Sequence, residues 1–476
     1  MRCSIVTLAF LVAPQAAAAQ VARSAPPVFT EAFPAEEFAA RRAKLMERIG
    51  DGVAILQGAT EKPAEAAFRQ NNQFFYLTGV EVPRALLIID GRTRRSALFI
   101  ADHTRRLRQY GPLLNPDSAA PRITGMETVM LRHSFGTLLA QLQGRTVYVP
   151  FRAEVLGSGS GAEAAGLSRA NKADPWDGRI GREEAFLEKL RAALPATEIR
   201  DLDPMVDALR TIKSAREIAV IRQATRMAGL GIMEAMRDAQ PGMREYELQA
   251  AAEFVFKKHG AQGAAYFALV ATGTNTLYSH YHKGTGVLRA GDLVQFDYAP
   301  DYNYYVSDVT RVFPANGKFT AWQREYYGTY LKLYQALLTS IRPHTAPRDI
   351  IKTAAARMEQ ILQATRFTDP KIQAAATAFV NRYKNSTSNS LGHTIGLEVH
   401  DVRLGSDVLL PGHLFTIEPA LIINDEHLGI RLEDVILITE TGYENLSAFV
   451  PVEIVDIERL MAQSGLSDAM IRNVKR

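Results

Sequence analysis

The chain has 476 residues, 47% of them hydrophobic, which is enough for two or more domains that each bury a core. Its 55 basic and 51 acidic residues give a net charge of +4 and are interspersed along the chain. We therefore expect no nucleic-acid partner, since such partners require a basic stripe or patch. The one cysteine, Cys3, lies in a predicted leader, which excludes disulfides and cysteine catalysis from the mature protein.

The leader is the segment MRCSIVTLAFLVAPQAAAA, residues 1 to 19. Its basic start, its apolar run to about Ala13 and the small residues before Gln20 are typical of a secretory signal peptide. This pattern predicts cleavage after Ala19 and a periplasmic or secreted protein. The apolar run is too short to span a bilayer, and no later segment approaches the ~20 apolar residues of a membrane helix, so we expect no membrane anchor.

Residues 28 to 205 are predicted to form an α/β N-terminal domain, because short apolar segments alternate there with helical ones. Strands are predicted at 53 to 57, 85 to 90, 96 to 100 and 146 to 150, and helices at 35 to 49 and 183 to 194. The glycine-rich and polar run from 157 to 181 predicts a surface loop within this domain.

A second domain is predicted from 210 to 460. Ser214 and Glu217 form a capping-box signature, and the helix that they open is expected to run until Pro241-Gly242. Further helices are predicted from about Glu245 to Gly260, over 321 to 341 and over 347 to 364. With strand pairs between and after these helices, the predicted fold class is α+β, with helices packed on an antiparallel sheet.

The first of two predicted hairpins occupies residues 291 to 313. If Tyr302-Asn303 forms its turn, Asp297 lies directly opposite Asp308. A single aspartate in a strand is more often an exposed charge or an ion-pair partner. Two aspartates that face each other among apolar residues indicate a different role.

The second predicted hairpin, residues 414 to 439, repeats this arrangement. With Asp425-Glu426 as its turn, Glu418 lies opposite Glu433. Like charges across strands destabilise a sheet, and buried carboxylates without compensation cost several kcal/mol or take up protons. Cations between the carboxylates remove both penalties.

One histidine between the hairpins, His393, completes a set of five candidate metal ligands. Four oxygen ligands and one imidazole favour divalent ions such as Mn²⁺, Zn²⁺ or Co²⁺. Two such ions ~3.5 to 4 Å apart lower the pKa of a shared water and polarise a substrate carbonyl. The set therefore predicts a two-metal hydrolase without a protein nucleophile.

Other polar residues flank the candidate ligands. Arg431 and Thr310 lie two residues from Glu433 and Asp308, hence on the same strand faces, where they would support the ligands. Three further histidines, each more often a structural residue when taken alone, occur nearby in sequence: His280, His282 and His400.

Four motifs resemble those of the metallopeptidase family that includes aminopeptidase P, prolidase and methionine aminopeptidase. They are FDYAPDYNYYVSDVTRVF, LGHTIGLEVHD, TIEP and GIRLED, in the order in which that family has them. RTIKSAREIAVIRQA (210 to 224) resembles the entrance to the family's catalytic domain, and FRQNNQFFYLTG (68 to 79) resembles a motif of the aminopeptidase P N-terminal domain. The resemblance implies a C-terminal pita-bread domain behind a creatinase/aminopeptidase P-type α/β domain.

The resemblance also implies a role for each ligand. Asp297 would bind one metal ion, Asp308 and Glu433 would bridge both ions, and His393 and Glu418 would complete the second. A hydroxide that bridges the two ions would be the nucleophile. Glu418 would take a proton from it and later give one to the leaving amine.

Two histidines acquire catalytic roles through the same resemblance. His280, five residues after Asn275, would stabilise the tetrahedral intermediate, and His400 would contact the substrate near the scissile bond. His282 has no counterpart in the family and is assigned a structural role.

The chain departs from the family pattern after the first aspartate, where it reads Asp297-Tyr298-Ala299-Pro300. Pro300 cannot donate to a ladder, so we expect an edge position or a bulge there. The ligand role of Asp297 does not depend on this position.

The function that the resemblance implies is a Xaa-Pro aminopeptidase, which removes an N-terminal residue that precedes proline. The alternatives are a prolidase, which cleaves Xaa-Pro dipeptides, and a non-catalytic binding protein on the same fold. The expected cofactors are two divalent ions, with Mn²⁺ as the first choice, and the expected partners are proline-containing peptides. Relatives are often dimers or tetramers, so we expect a homo-oligomer.

Overall fold

The computed structural model describes residues 32 to 61, 67 to 102, 113 to 155 and 157 to 467. The predicted signal peptide, residues 1 to 19, and the predicted start of the first domain at residue 28 lie outside the described residues. Within the described ranges, no helix is both long and apolar enough to cross a membrane.

The N-terminal half contains one six-stranded sheet in the order β4-β3-β2-β1-β5-β6, with parallel and antiparallel neighbours. Its strands are β1 (Val53–Gln57), β2 (Leu86–Asp90), β3 (Arg95–Ile100), β4 (Thr128–Leu131), β5 (Val147–Val149) and β6 (Ile199–Asp201). Its helices are α1 (Ala35–Ile49), α2 (Asn72–Thr78), α3 (Ala120–Thr124), α4 (Phe135–Leu139), α5 (Gly161–Ala173), α6 (Arg182–Ala193) and α7 (Asp203–Arg210).

The strand and helix predictions for this half are confirmed to within one residue at most ends, but the predicted loop from 157 to 181 is wrong. Helix α5 occupies its centre. The Ser160 hydroxyl caps α5 by accepting hydrogen bonds from the N–H groups of Ala162 and Glu163, at 3.2 and 3.4 Å. This cap and an alanine-rich sequence outweigh the glycines that suggested a loop.

The C-terminal half combines long helices with short antiparallel strands. The helices are α8 (Ala215–Asp238), α9 (Glu245–Lys258), α10 (Ala321–Leu338), α11 (Pro347–Ala364), α12 (Pro370–Lys384) and α13 (Ile454–Met461). The strands are β7 (Gly263–Ala264), β8 (Leu269–Thr272), β9 (Leu293–Asp297), β10 (Pro300–Tyr302), β11 (Tyr305–Val306), β12 (Thr310–Pro314), β13 (Leu414–Ile417), β14 (Ala420–Ile423), β15 (Leu428–Arg431), β16 (Asp434–Ile438) and β17 (Tyr443–Asn445). They pair in the orders β12-β9-β8, β11-β10-β7, β13-β16-β17 and β14-β15.

The four helices predicted for this half, α8 to α11, are all present at the predicted places. The capping box of Ser214 and Glu217 is present at the start of α8, which ends at Asp238, a little before the predicted Pro241-Gly242. Helices α12 and α13 were not predicted. The edge position expected for Pro300 is wrong, because Pro300 begins β10, which lies between β11 and β7. The strand is nevertheless interrupted there, since β9 ends at Asp297.

The hairpin that carries Asp297 and Asp308 turns at Asn303–Tyr304, so the predicted turn at Tyr302-Asn303 is wrong. Asp297 consequently pairs with Thr310 rather than with Asp308. A turn displaced by one residue shifts the cross-strand pairing by two, which keeps the same side chains on the same face. Asp308 therefore remains on the face of Asp297, as a diagonal neighbour.

Contacts with the N-terminal half explain this turn. Asn303 and Tyr304 both have positive φ, 52° and 70°, as a two-residue type I′ turn requires. The Tyr304 ring stacks on Phe75 with its centroid 3.6 Å away, and its hydroxyl accepts from the Gln70 N–H and donates to Glu81, both at 2.8 Å. These contacts hold a tyrosine in a backbone conformation that non-glycine residues rarely adopt.

The second hairpin has the predicted register. Ladder pairs on either side of the two glutamates, Ile417 with Asp434 and Ala420 with Arg431, place Glu418 opposite Glu433. The turn is a short helical segment, Asn424–Glu426, followed by His427 at φ 51°, with the predicted Asp425-Glu426 at its centre. The strand ladder is interrupted at the two glutamates themselves, between β13 and β14.

The two hairpins meet at Thr310 and Glu433. The Glu433 N–H donates to the Thr310 carbonyl at 3.1 Å. Arg311, which is fully buried, donates to the Glu433 carbonyl at 2.8 Å and to the carboxylate of Asp434 at 2.7 Å. One guanidinium thus fixes β12 against the segment that begins β16.

We expect Arg311→Met to lower the free energy of unfolding by about 3 to 5 kcal/mol, because Asp434 would stay buried without its counter-charge. The matched control is Arg222→Met, which breaks an exposed ion pair with Glu444 and should cost less than about 1 kcal/mol. Denaturant unfolding followed by circular dichroism measures both. Equal losses in the two variants would contradict the structural role of Arg311.

Candidate metal centre

The structure brings four of the five predicted ligands together around one imidazole nitrogen. His393 Nε2 lies 3.4 Å from Asp308 Oδ2, 3.2 Å from Glu418 Oε1 and 3.6 Å from Glu433 Oε1. One ligand atom from each of Asp308, His393 and Glu433 lies within 4.8 Å of the others, a spacing that a single ion can bridge. The four residues lie just outside the strands, before β12, before β13, between β13 and β14 and between β15 and β16, and these segments converge on one point.

The fifth predicted ligand, Asp297, joins this group through a shared hydrogen-bond donor. The Tyr266 hydroxyl lies 2.6 Å from Asp297 Oδ1 and 2.6 Å from Asp308 Oδ1. The other oxygen of Asp297 accepts a hydrogen bond from Arg431. The two aspartates thus stand side by side on the first hairpin, each with one oxygen turned to Tyr266.

Mutual repulsion and burial disturb the titration of this group. Burial raises the pKa of Asp297 and of Asp308 to about 6; the charge of Glu433 adds to the shift at Asp297, and the charge of Asp297 adds to the shift at Asp308. Burial and the charge of Glu433 raise the pKa of Glu418 to about 7. Although burial opposes it, the contacts with Asp308 and Glu433 raise the pKa of His393 well above its ordinary value. Without cations the site would hold protons instead.

A buried oxygen without a partner tests whether cations fit here. Glu433 is 1% exposed; its Oε2 accepts a hydrogen bond from the Thr310 hydroxyl at 2.7 Å, while its Oε1 has no hydrogen-bond partner. Such an oxygen is costly unless something positive satisfies it. The orphaned oxygen faces an imidazole and further carboxylates, a donor set that suits a divalent ion. The residues present therefore fit a metal centre.

The two predicted supporting residues lie where sequence spacing puts them. Thr310 orients Glu433 through its hydroxyl. Arg431 is 7% exposed and lies between Asp297, with which it forms a hydrogen bond, and Glu418, whose Oε2 is 3.7 Å from Arg431 Nη1. This one cation offsets part of the negative charge of the group.

Of the three other histidines, His400 lies beside the ligand group. The ring of His400 is 4.1 Å from that of His393, and partial burial with the nearby charges of His393 and His280 lowers its pKa to about 4. His280 is exposed. His282 is also exposed, packs against Phe267 with a centroid distance of 4.4 Å and contacts the His280 carbonyl through Nδ1 at 3.0 Å.

Sequence reasoning missed Tyr266. It lies 31 residues before Asp297, between two short strands, and no spacing or motif marks it. Burial and the surrounding carboxylates raise its pKa well above 10, so it stays protonated as a donor to Asp297 and Asp308. Only the folded arrangement shows that it belongs to the site.

Comparisons with known proteins agree with this geometry. Residues 219–440 match the metallopeptidase family M24, and residues 38–148 match the aminopeptidase P N-terminal domain. The chain is 33% identical to the Xaa-Pro aminopeptidase of Escherichia coli (strain K12), over 90% of this chain and 97% of that protein.

Solved structures of aminopeptidase P share the fold over nearly the whole chain. A putative aminopeptidase P from Bacillus anthracis has a TM-score of 0.75 at 25% identity, covering 91% of this chain and 99% of that one. E. coli aminopeptidase P with the inhibitor Pro-Leu has a TM-score of 0.70 at 31% identity, covering 90% and 98%. The chain therefore belongs to the metallopeptidase family M24, with the pita-bread fold and an aminopeptidase P N-terminal domain, and is a metal-dependent peptidase.

Proposed function

We propose that the protein is a two-metal Xaa-Pro aminopeptidase that removes the N-terminal residue from peptides with proline in second position. The observation that carries this proposal is the convergence of His393 with three carboxylates, one of which, Glu433, keeps a buried oxygen without a partner. Similarity to Xaa-Pro aminopeptidases over most of the chain supports the choice of substrate.

The proposed ligand roles are those that the family resemblance implies. Asp297 would hold one ion, Asp308 and Glu433 would bridge both, and His393 with Glu418 would complete the second. Asp308 suits a bridging role because one of its oxygens points to His393 and the other shares Tyr266 with Asp297. Two divalent ions in such a site lower the pKa of a shared water and polarise the substrate carbonyl. We propose Mn²⁺ as the ion, with Zn²⁺ or Co²⁺ as alternatives.

Glu418 is the proposed general base and acid. Its side chain is 28% exposed, whereas those of Asp297, Asp308 and Glu433 are 8% or less, so it is the carboxylate that water and substrate can reach. A group that accepts and later returns a proton works best with a pKa near the working pH. The Glu418 carboxylate would take a proton from the attacking water and give it to the departing proline nitrogen.

His280 and His400 are the proposed substrate contacts. A pKa of about 4 keeps His400 neutral at pH 7, so its ring can both donate and accept a hydrogen bond near the scissile bond. His280, whose charge is felt by His400, would donate to the carbonyl oxygen as negative charge develops on it. The amide that joins a residue to proline lacks an N–H, so a site that needs no such donor suits this bond.

We also propose where in the cell the protein acts and that it forms an oligomer. The basic, apolar and small-residue segments of residues 1 to 19 support export to the periplasm or the medium. The resemblance to dimeric and tetrameric relatives supports a homo-oligomer.

Replacing a proposed bridging ligand should abolish metal binding. We expect Glu433→Ala to lose the bound ions, because Asp308 alone cannot hold both, while the surface control Glu359→Ala, which breaks an exposed pair with Lys384, keeps them. Elemental analysis of the purified variants gives the metal content per chain. Unchanged metal content in Glu433→Ala would refute the ligand assignment.

Removal of metal should abolish hydrolysis reversibly. Dialysis against a chelator is expected to leave a folded but inactive protein, and addition of Mn²⁺ is expected to restore the rate, because His393 and Glu418, whose pKa values are raised, can hold protons that offset part of the repulsion when cations are lost. Circular dichroism and release of the N-terminal residue are followed together. Full activity after exhaustive chelation would exclude the metal mechanism and favour a different hydrolytic chemistry.

The peptide length separates aminopeptidase from dipeptidase. We expect hydrolysis of a Xaa-Pro-Xaa tripeptide, and none of the same tripeptide with alanine in place of proline. Turnover of the Xaa-Pro dipeptide alone would make the protein a prolidase. Absence of turnover with every peptide, in protein that binds metal, would favour a non-catalytic binding protein.

A further inference from the structure

A short segment of the N-terminal half, Gly157 to Gly161, contacts two segments of the C-terminal half that lie next to residues of the candidate site. Ser158 is its innermost residue and is 4% exposed. The Ser158 hydroxyl donates to the Ala265 carbonyl at 2.6 Å, and the Ser158 carbonyl accepts from the Val399 N–H at 2.9 Å. One residue therefore ties together two segments that are 134 positions apart in the chain.

Each of these two segments carries a side chain of the site. Ala265 directly precedes Tyr266, and Val399 directly precedes His400. Ala265 and Val399 also share a small apolar cluster with Val306, and Tyr266 packs against it. The backbone segments that lead into Tyr266 and His400 therefore meet at this cluster. Ser158 joins them there through its two hydrogen bonds.

The segment itself is firmly held. Arg69 donates to the Gly157 carbonyl at 2.7 Å and forms an ion pair with Asp301 at 2.6 Å. On the other side, the Gly161 N–H donates to Glu398 at 3.1 Å. These contacts on both sides therefore hold Ser158 in place.

We propose that Ser158 is a positioning residue of the metal centre, which acts across the boundary between the two halves by fixing the backbone of Tyr266. This inference rests on the proposed function, because its target is the pair of carboxylates proposed to bind metal. Tyr266 must meet two oxygens at 2.6 Å each, so a small displacement of its backbone breaks one of these hydrogen bonds. The free aspartate then loses its orientation toward the ions.

The test uses Ser158→Ala with Ser160→Ala as its matched control. Ser160 is similarly buried, at 5% exposed, and lies two residues further, but its hydroxyl caps α5 and makes no hydrogen bond to the described residues of the C-terminal half. We expect Ser158→Ala to raise the Kd for Mn²⁺, measured by calorimetry on the chelated and dialysed full-length protein, by about fivefold, the effect of one lost hydrogen bond. Ser160→Ala should leave the Kd within about twofold of the wild type.

A double-mutant cycle distinguishes positioning from general loosening. In a Tyr266→Phe background the Ser158→Ala change should have no further effect on the Kd, because the hydroxyl that it positions is gone. Hydrogen exchange should rise in peptides that cover residues 263 to 268 in Ser158→Ala and stay unchanged there in Ser160→Ala. An unchanged Kd in Ser158→Ala, or an equal effect in the Tyr266→Phe background, would overturn the proposal.

This readout does not depend on peptide hydrolysis. If the wild type binds Mn²⁺ but cleaves no Xaa-Pro peptide, the proposed function fails while the binding cycle still decides the role of Ser158. If the protein is an active aminopeptidase and the cycle shows no coupling, only the role of Ser158 fails.

Discussion

The structure depends on how the two hairpins are joined at Thr310 and Glu433. This junction brings four carboxylates close together in a largely buried space, where their mutual repulsion opposes folding. Hydrogen bonds from Tyr266 and Thr310 and the charge of Arg431 offset only part of it, since one Glu433 oxygen is left without a partner. Folding and cation binding are therefore linked: each cation bound stabilises the folded chain, and each one lost is replaced by protons.

Two adjacent residues, Glu433 and Asp434, carry charges with different roles: Asp434 belongs to a structural ion pair, and Glu433 belongs to the candidate metal site. Glu433 and Asp434 point to opposite faces, as neighbours in an extended segment do. Burial raises the pKa of Glu433, whose nearest charged neighbours include Asp308. Burial also opposes ionisation of Asp434, yet Arg311 keeps its pKa below the ordinary value. This segment thus carries the Arg311–Asp434 ion pair on one face and the candidate metal ligand Glu433 on the other. Because the ion pair holds the backbone in place, it also fixes the position of Glu433.

The sequence predicts most of what depends on local chemistry. The Ser214 capping box, four of the six strands of the first sheet and the second hairpin were predicted because their signals lie within a few residues of one another. The first hairpin was misplaced by one residue because its turn is selected by Phe75, more than 200 residues away. Tyr266 could not be predicted, since only the fold brings it to the aspartates. The four candidate carboxylate ligands could be proposed from the sequence because pairs of carboxylates in apolar strands leave few physical alternatives.

The buried tip of the first hairpin, Asn303–Tyr304, has a consequence for how the protein is made. Its receptor, formed by Gln70, Phe75 and Glu81, belongs to the half of the chain that the ribosome delivers first. These partners of Tyr304 are therefore synthesised before the hairpin that docks on them. The alignment of β9 with β12, on which the aspartate pair depends, thus rests on contacts with a part of the chain that is made earlier.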